Sequence, residues 1–246
     1  MKSQLISTKE LSFQQKNEMY FLISSFFKGV KRDVFEDDLS DKNWIILLKD
    51  NTSKKLLGFS SLRIYNTEFK GETISVVYSG DTIVDPSAWS SSVLSKAWIE
   101  AIDLLSQEFV LGKLYWLFIC SGYRTYRFLP VFWQKFYPRF DSLTPQKVQE
   151  LIDFLATHKF GGNYNPKTGI VRFPHPHQLR EGLKGIPSER LNDPHIRFFA
   201  SKNSGHLNGD ELVCLTEISP DNLTKAGQRM WKYQSKNPKF LSSLSR

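Results

Sequence analysis

Of the 25 acidic residues in the chain, Asp81 has the setting most suited to chemistry, because it stands inside an apolar strand-like run, Ile74 to Val84. A carboxylate kept from water holds its proton above the ordinary range and is suited to exchange protons near neutral pH. Glu72 lies at a hairpin and reads as solvated, while Asp85, just before Pro86, reads as the residue that fixes a turn. The five histidines offer less. His175 and His177, in Pro174-His175-Pro176-His177, have no Cys or carboxylate close by, so no metal site is expected. His158 closes a helical run, where a cation is favourable anyway. His195 and His206 flank the closing strands, and His206 is an alternative base with a surface role as its simpler reading. The chain has no Gly-x-Ser-x-Gly elbow and no Gly-x-x-x-x-Gly-Lys loop, which removes the footing for a serine hydrolase and an NTPase. Tyr123-Arg124-Thr125-Tyr126-Arg127-Phe128 interleaves bases with aromatics, as nucleic-acid binders do. On a helix, however, Arg124 and Arg127 share one face while Phe128, Val131 and Phe132 take another, which describes an amphipathic helix with a basic rim.

These residues sit in a chain of 246 with 40% apolar and 24% charged residues, and its 19 Phe, 9 Tyr and 6 Trp supply more burial than a disordered chain carries. The longest apolar run, Leu114 to Cys120, falls far short of a bilayer span, which needs roughly 20 residues. No apolar signal core follows Met1-Lys2-Ser3-Gln4, and Cys120 and Cys214 read as small buried hydrophobes, so a reducing, cytoplasmic setting is expected. The net charge of +8 is uneven: residues 221–246 hold six bases (Lys225, Arg229, Lys232, Lys236, Lys239, Arg246) against Asp221 alone. Such a tail is either frayed and solvated or a surface for an acidic partner: nucleic acid, an anionic membrane or an acidic carrier protein.

The spacing predicts a helix from Leu11 to Phe27 that Gly29 ends, then a short helix or loop over Arg32 to Lys42. Trp44 to Leu48, Leu56 to Tyr65 and Thr73 to Val84 read as an antiparallel meander, with Lys70-Gly71 as the hairpin signal. Ser87, Ser90, Ser91 and Ser92 are candidate caps for a helix carrying Leu94, Ala97, Trp98, Ala101, Ile102, Leu105 and Phe109, which Gly112 closes. Leu114 to Cys120 reads as a central strand, parallel to the third strand through a right-handed crossover. Tyr123 to Tyr137 reads as helical. Thr144 is the expected cap of a helix with Pro145 at its first position. Asn163 to Asp193 reads as a long loop or small hairpin, and His195 to Ala200 and Glu211 to Ile218 as two closing strands.

This order, and above all Asp81-Thr82-Ile83-Val84-Asp85-Pro86-Ser87-Ala88-Trp89-Ser90-Ser91-Ser92-Val93-Leu94, resembles the GNAT (N-acetyltransferase-like) acyltransferase superfamily. The resemblance covers residues 11–138 and 195–218. It implies one α/β domain over 1–246: an antiparallel meander plus splayed parallel central strands, flanked by helices, with residues 139–194 as an insertion and 221–246 as a basic tail. It further implies that the pantetheine arm of an acyl donor pairs with Ile83 and Val84, and that its phosphates meet Ser90, Ser91, Ser92 and Val93 at a helix N-terminus. The family's glycines are missing here, with Trp89, Ser90, Ser92 and Leu94 in the loop, so the chain resembles a divergent member without the glycine-rich pyrophosphate loop. The tyrosine that often protonates the leaving thiolate corresponds to Phe132, which leaves Tyr123 and Tyr126 as substitutes, or as ordinary helix aromatics.

Acyl transfer from a thioester to an amine needs a base, an oxyanion donor and optionally an acid for sulfur. Asp81 fits the base, a backbone N–H between Gly80 and Ile83 the oxyanion donor, and Tyr126 or Tyr123 the acid; the strand glycine Gly80 marks a candidate bulge. The expected function is transfer of an acyl group, long-chain included, from acyl-CoA or an acyl carrier protein to an amine of a small molecule or peptide, without a metal. A carrier-bound donor lacks the nucleotide, and an acidic carrier suits the +8 charge. The alternatives are a non-catalytic binding protein on the same fold and, third, a nucleic-acid binder.

Overall fold

The computed structural model describes residues 1–89, 91–183 and 185–236, with only the backbone for 232–236. Ser90 of the predicted phosphate loop, and Lys239 and Arg246 of the basic tail, lie outside the described residues. In chain order the elements are β1 (Lys2–Ser7), α1 (Phe13–Phe26), β2 (Phe27–Lys28), α2 (Arg32–Ser40), β3 (Trp44–Lys49), β4 (Leu56–Phe69), β5 (Glu72–Val84), α3 (Val93–Phe109), β6 (Lys113–Cys120), α4 (Tyr123–Tyr126), α5 (Phe128–Phe132), β7 (Phe136–Tyr137), α6 (Gln146–Phe160), β8 (Tyr164–Asn165), β9 (Ile170–Val171), β10 (Gln178–Leu179), α7 (Pro194–Lys202), β11 (Glu211–Glu217) and α8 (Lys225–Lys236). They form two compact units, one of residues 1–25, 30–114 and 227–246, the other of 26–29 and 115–226.

In the first unit β1, β3, β4 and β5 run antiparallel, with Leu5 opposite Ile46, Ile46 opposite Ser60, and Phe59 opposite Ile83. Ile45, Ile46, Leu47 and Leu48 are all buried, so β3 is covered on both faces. Apolar residues of α3 recur every three or four positions, and Leu94, Ala97, Trp98, Ala101, Ile102 and Leu105 bury the face that packs on β1, β3 and β4. The turn Lys70-Gly71 has positive φ at both residues (53° and 81°), which matches the twist of the long β4–β5 hairpin. Ser75 Oγ donates to Leu111 O at 2.8 Å and accepts from Leu111 N at 2.7 Å, tying the exit of α3 to β5. Gly112 follows with φ 71°, and a Cβ there would run into Thr73 O.

In the second unit β11 pairs antiparallel with β6, placing Leu215 opposite Leu117, and also with β7 and β9; β8 extends the sheet beyond β9, and β10 pairs with β2. Cys120 and Cys214 are buried and unoxidised. Leu151, Ile152, Leu155, Ala156 and Phe160 form the buried face of α6.

Several expectations need correction. Lys2–Ser7, where no element is predicted, is the strand β1, whose Leu5 and Ile6 are buried while Lys2 and Gln4 are not. Tyr123 to Tyr137 is two short helices and a strand, because after Pro130 the chain leaves helical geometry at Trp133. Pro145 itself caps α6, and Thr144 makes no capping bond. Of the two readings of Asn163 to Asp193, a long loop or a small hairpin, β8 and β9 form the hairpin. His195 to Ala200 lies in the helix α7, not a strand. The overlooked signal is Asp193-Pro194: Asp193 accepts from His195 N at 2.9 Å and Ile196 N at 3.4 Å, and Pro194 occupies the first turn. Finally, the basic tail is helical from Lys225 to Lys236.

Asp193→Ala is expected to lower stability by about 1 kcal/mol, the usual worth of an N-cap, with loss of helical signal at residues 194–197. Urea unfolding and amide exchange measure both, and an unchanged midpoint would show that Pro194 alone starts α7.

Candidate active site

The site begins with an irregularity in the β4–β5 ladder. Ser60 pairs with Thr82 and Leu62 with Ser79, so the single residue Ser61 faces two, Gly80 and Asp81. That is a bulge in β5, at the glycine that marked it, and a bulge bends its strand and re-aims the side chains beside it. Ser60 Oγ and Thr82 Oγ1, 2.8 Å apart, clasp the two strands just past it.

Asp81 is half-buried at this bulge. Burial, reinforced by the charge of Asp38 and opposed by Lys42, lifts its carboxyl to about 7. Lys42, from the turn after α2, is buried, and its Nζ donates to Asp38 Oδ1 at 2.7 Å and Asp38 O at 2.9 Å. Asp41 stands 3.9 Å from the same Nζ and pairs with Arg63 of β4. Asp38, Asp41 and Lys42 are not singled out by the sequence, which reads Arg32 to Lys42 as a short helix or loop. The i, i+4 spacing of Asp38 and Lys42 on a helix end was the available signal.

The edge of β5 after the bulge is partly occupied. Asp85 N donates to Leu57 O at 2.7 Å, and Ile83 O points at Gly58, so Ile83 turns its backbone groups to β4 and Val84 turns its own away. The indole N–H of Trp89 donates to that Val84 carbonyl at 2.7 Å. Asp85 closes the turn that follows by accepting from Ser87 N at 3.0 Å and from Ser87 Oγ at 2.6 Å. Ser92 sits at the N-cap of α3 without a side-chain capping bond; instead Ser91 Oγ accepts from Val93 N at 3.1 Å. The Ser87 and Ser91 hydroxyls therefore bond within the loop, and one N–H of the first turn of α3 already has an internal partner.

Asp81, Ile83, Val84, Ser91, Ser92 and Val93 belong to the first unit, Tyr123 and Tyr126 to the second. Tyr126 is fully buried against Phe136, Phe198 and Phe199, and its hydroxyl donates to Pro138 O at 2.9 Å. Burial pushes its phenol far above the ordinary value, and its hydroxyl bond ties α4 to Pro138. Tyr123 is buried, with the Arg124 guanidinium 4.9 Å over its ring. Phe132 is buried as well. His177 packs on Phe27, and His195, whose basicity burial lowers, lies between the rings of Phe136 and Phe140. No cluster of three metal-ligating side chains occurs among the described residues, and no helix among them is long and apolar enough to cross a membrane.

A carboxyl that burial keeps protonated destabilises the fold once it ionises. Its folded value lies above the unfolded 3.8, so the favourable contribution is complete below about 4 and is lost as pH rises through about 7. Asp81→Asn is accordingly expected to raise the melting temperature at pH 8, with the gain shrinking toward zero at pH 4. Melting curves across that range test it, and a gain independent of pH would deny Asp81 a raised value.

No family model matches the chain, and no curated protein matches it in sequence. Among solved structures, an acetyltransferase of Trypanosoma brucei is similar at 18% identity and TM-score 0.40, over 58% of this chain and 100% of that one. A protein of unknown function from Enterococcus faecalis, titled a probable N-acyltransferase, is similar at 11% identity and TM-score 0.42, over 89% of this chain and 66% of its own. A GNAT family N-acetyltransferase of Escherichia coli solved with CoA is similar at 12% identity and TM-score 0.39, over 52% and 68%. In this chain the elements follow in the order antiparallel meander, bulged strand, helix and further strand.

Proposed function

We propose that the chain is an N-acyltransferase that moves an acyl group from a pantetheine thioester to an amine, with Asp81 as general base. The observation that carries this reading is Asp81 itself: a half-buried carboxyl at a strand bulge, lifted to about 7. A base of that strength is half-ionised near neutral pH, where proton transfer from an ammonium is most useful. In the proposed reaction Asp81 takes a proton from the acceptor ammonium, and the freed nitrogen attacks the thioester carbonyl. The oxyanion is met by a backbone N–H released at the bulge, between Gly80 and Ile83. The C–N bond forms, the nitrogen gives up its second proton to solvent, the C–S bond breaks, and the thiolate leaves to be protonated by solvent.

The donor lies along Ile83 and Val84 in this reading, with Ser90, Ser91, Ser92 and Val93 at its phosphate. To pair with Val84 it displaces the Trp89 indole. A loop in which the Ser87 and Ser91 hydroxyls are already engaged, and which lacks glycine, suits a donor with one phosphate better than one with a pyrophosphate. Carrier-bound pantetheine is such a donor, and an acidic carrier suits the net charge of +8. The acceptor is a small amine or peptide, and the place of action the cytoplasm. The second reading, a binding protein without catalysis, is favoured by two placements: Trp89 on the donor edge and Tyr126 committed to Pro138.

Thermal shift and intact-mass assays with acetyl-CoA, palmitoyl-CoA and an acylated carrier protein, each with a panel of amines, separate the readings. Stabilisation with release of free thiol and acylated amine is expected for at least one donor. Its rate should climb with pH through about 7 and fall on the order of 100-fold in Asp81→Asn. Stabilisation without turnover would favour the binding protein, and no response to any donor would end the acyltransferase reading.

A further inference from the structure

Lys42 has no part in the proposed chemistry, yet its ammonium is shut away from solvent altogether. Asp38 holds the Nζ through both its carboxylate and its carbonyl, Asp41 lies beyond, and the Tyr78 ring faces it with its centroid 5.4 Å away. The stem of the lysine runs against the bulge. A Cβ on Gly80 would stand 2.5 Å from Lys42 Cε and 2.6 Å from Ser61 Oγ, so the residue before Asp81 is a glycine because Lys42 passes there. Ser61 Oγ, beside that stem, is buried and makes no hydrogen bond. A clamped lysine cannot swing away to relax its field, and Asp81 feels it from a fixed position.

We infer that Lys42 is a positioning residue for Asp81: anchored by Asp38, it shapes the bulge from beneath and, together with Asp38, sets the protonation state in which Asp81 meets an acceptor. This rests on reading Asp81 as the base, but its test needs no acyl transfer. Two charges act on Asp81 with opposite sign, since Lys42 favours the carboxylate and Asp38 favours the acid. Further charged or titratable groups around them among the described residues are Asp41 after α2, Arg63 and Tyr65 from β4, and Tyr78 from β5.

The Asp81 carboxyl of the full chain is titrated by carbon-13 NMR, with Asp81→Asn identifying its signal. Lys42→Met is expected to raise the midpoint, and Asp38→Asn to lower it, each by on the order of one pH unit. A merely loosened fold would let water in and lower both. A midpoint that is unmoved or lowered in Lys42→Met makes Lys42 structural and overturns the inference. If Lys42→Met does not fold, Asp38→Asn decides, since it changes a partly exposed carboxylate: a lowered midpoint at an unchanged melting temperature supports the inference, and an unmoved one overturns it. Opposite shifts in a chain that transfers no acyl group would uphold this coupling while ending the proposed function.

Discussion

Burying an ammonium costs several kcal/mol even after a protein relaxes around it, and the cost is met only where fixed acceptors replace water. The first unit carries that burden at Lys42, and much of its local geometry follows. α2 must end where Asp38 offers both a carboxylate and a carbonyl to one nitrogen. The chain must then turn within three residues into β3, whose start is secured by Asn43: its side chain donates to Ile64 O at 2.9 Å and accepts from Ile64 N at 2.9 Å. Opposite, β5 must be without a Cβ at residue 80 and must carry an extra residue there. The bulge, the glycine and the helix end are thus one arrangement around one charge.

The same arrangement selects a single carboxyl out of three. Asp38 and Asp41 have direct partners, Lys42 for one and Arg63 for the other, and both keep part of their side chains in solvent. Asp81, also half-buried, has no such ion pair among the described residues. It lies at the bulge, close enough to Asp38 to be disfavoured as an anion and close enough to Lys42 for that penalty to be softened. Its affinity for a proton near neutrality is therefore a property of the neighbourhood, and a solvated aspartate elsewhere on the surface would not share it.

Much of this was legible in residues. The meander, the Lys70-Gly71 turn and the face of α3 follow from period-two and period-3.6 patterns, because each element buries one side and its sequence must say so. Asp81 stood out for the same reason, as a charge in an apolar strand, and Gly80 beside it marked the bulge. Lys42 did not stand out. A lysine at the end of an acidic stretch looks solvated, and its burial is decided by β4 and β5, whose approach no local pattern encodes. β1 was lost because only Leu5 and Ile6 of its six residues are buried. α7 was lost because Ile-Arg-Phe-Phe suits a strand as well as a helix, and the cap Asp193-Pro194, which decides it, was weighed as loop.

Nothing in the packing of the first unit calls for an ionisable group at residue 81. Lys42 has its hydrogen bonds from Asp38, the strands are clasped by Ser60 and Thr82, and the bulge is made by Gly80 and Ser61. An asparagine would fit the same space without the strain of ionising at neutral pH. A fold that carries a destabilising carboxyl where a neutral isostere would serve is in the position common to active sites, where stability is forgone for a group tuned to a task. That is the physical ground for looking for a proton acceptor at Asp81 before looking elsewhere in the chain, and it holds whatever the donor or acceptor proves to be.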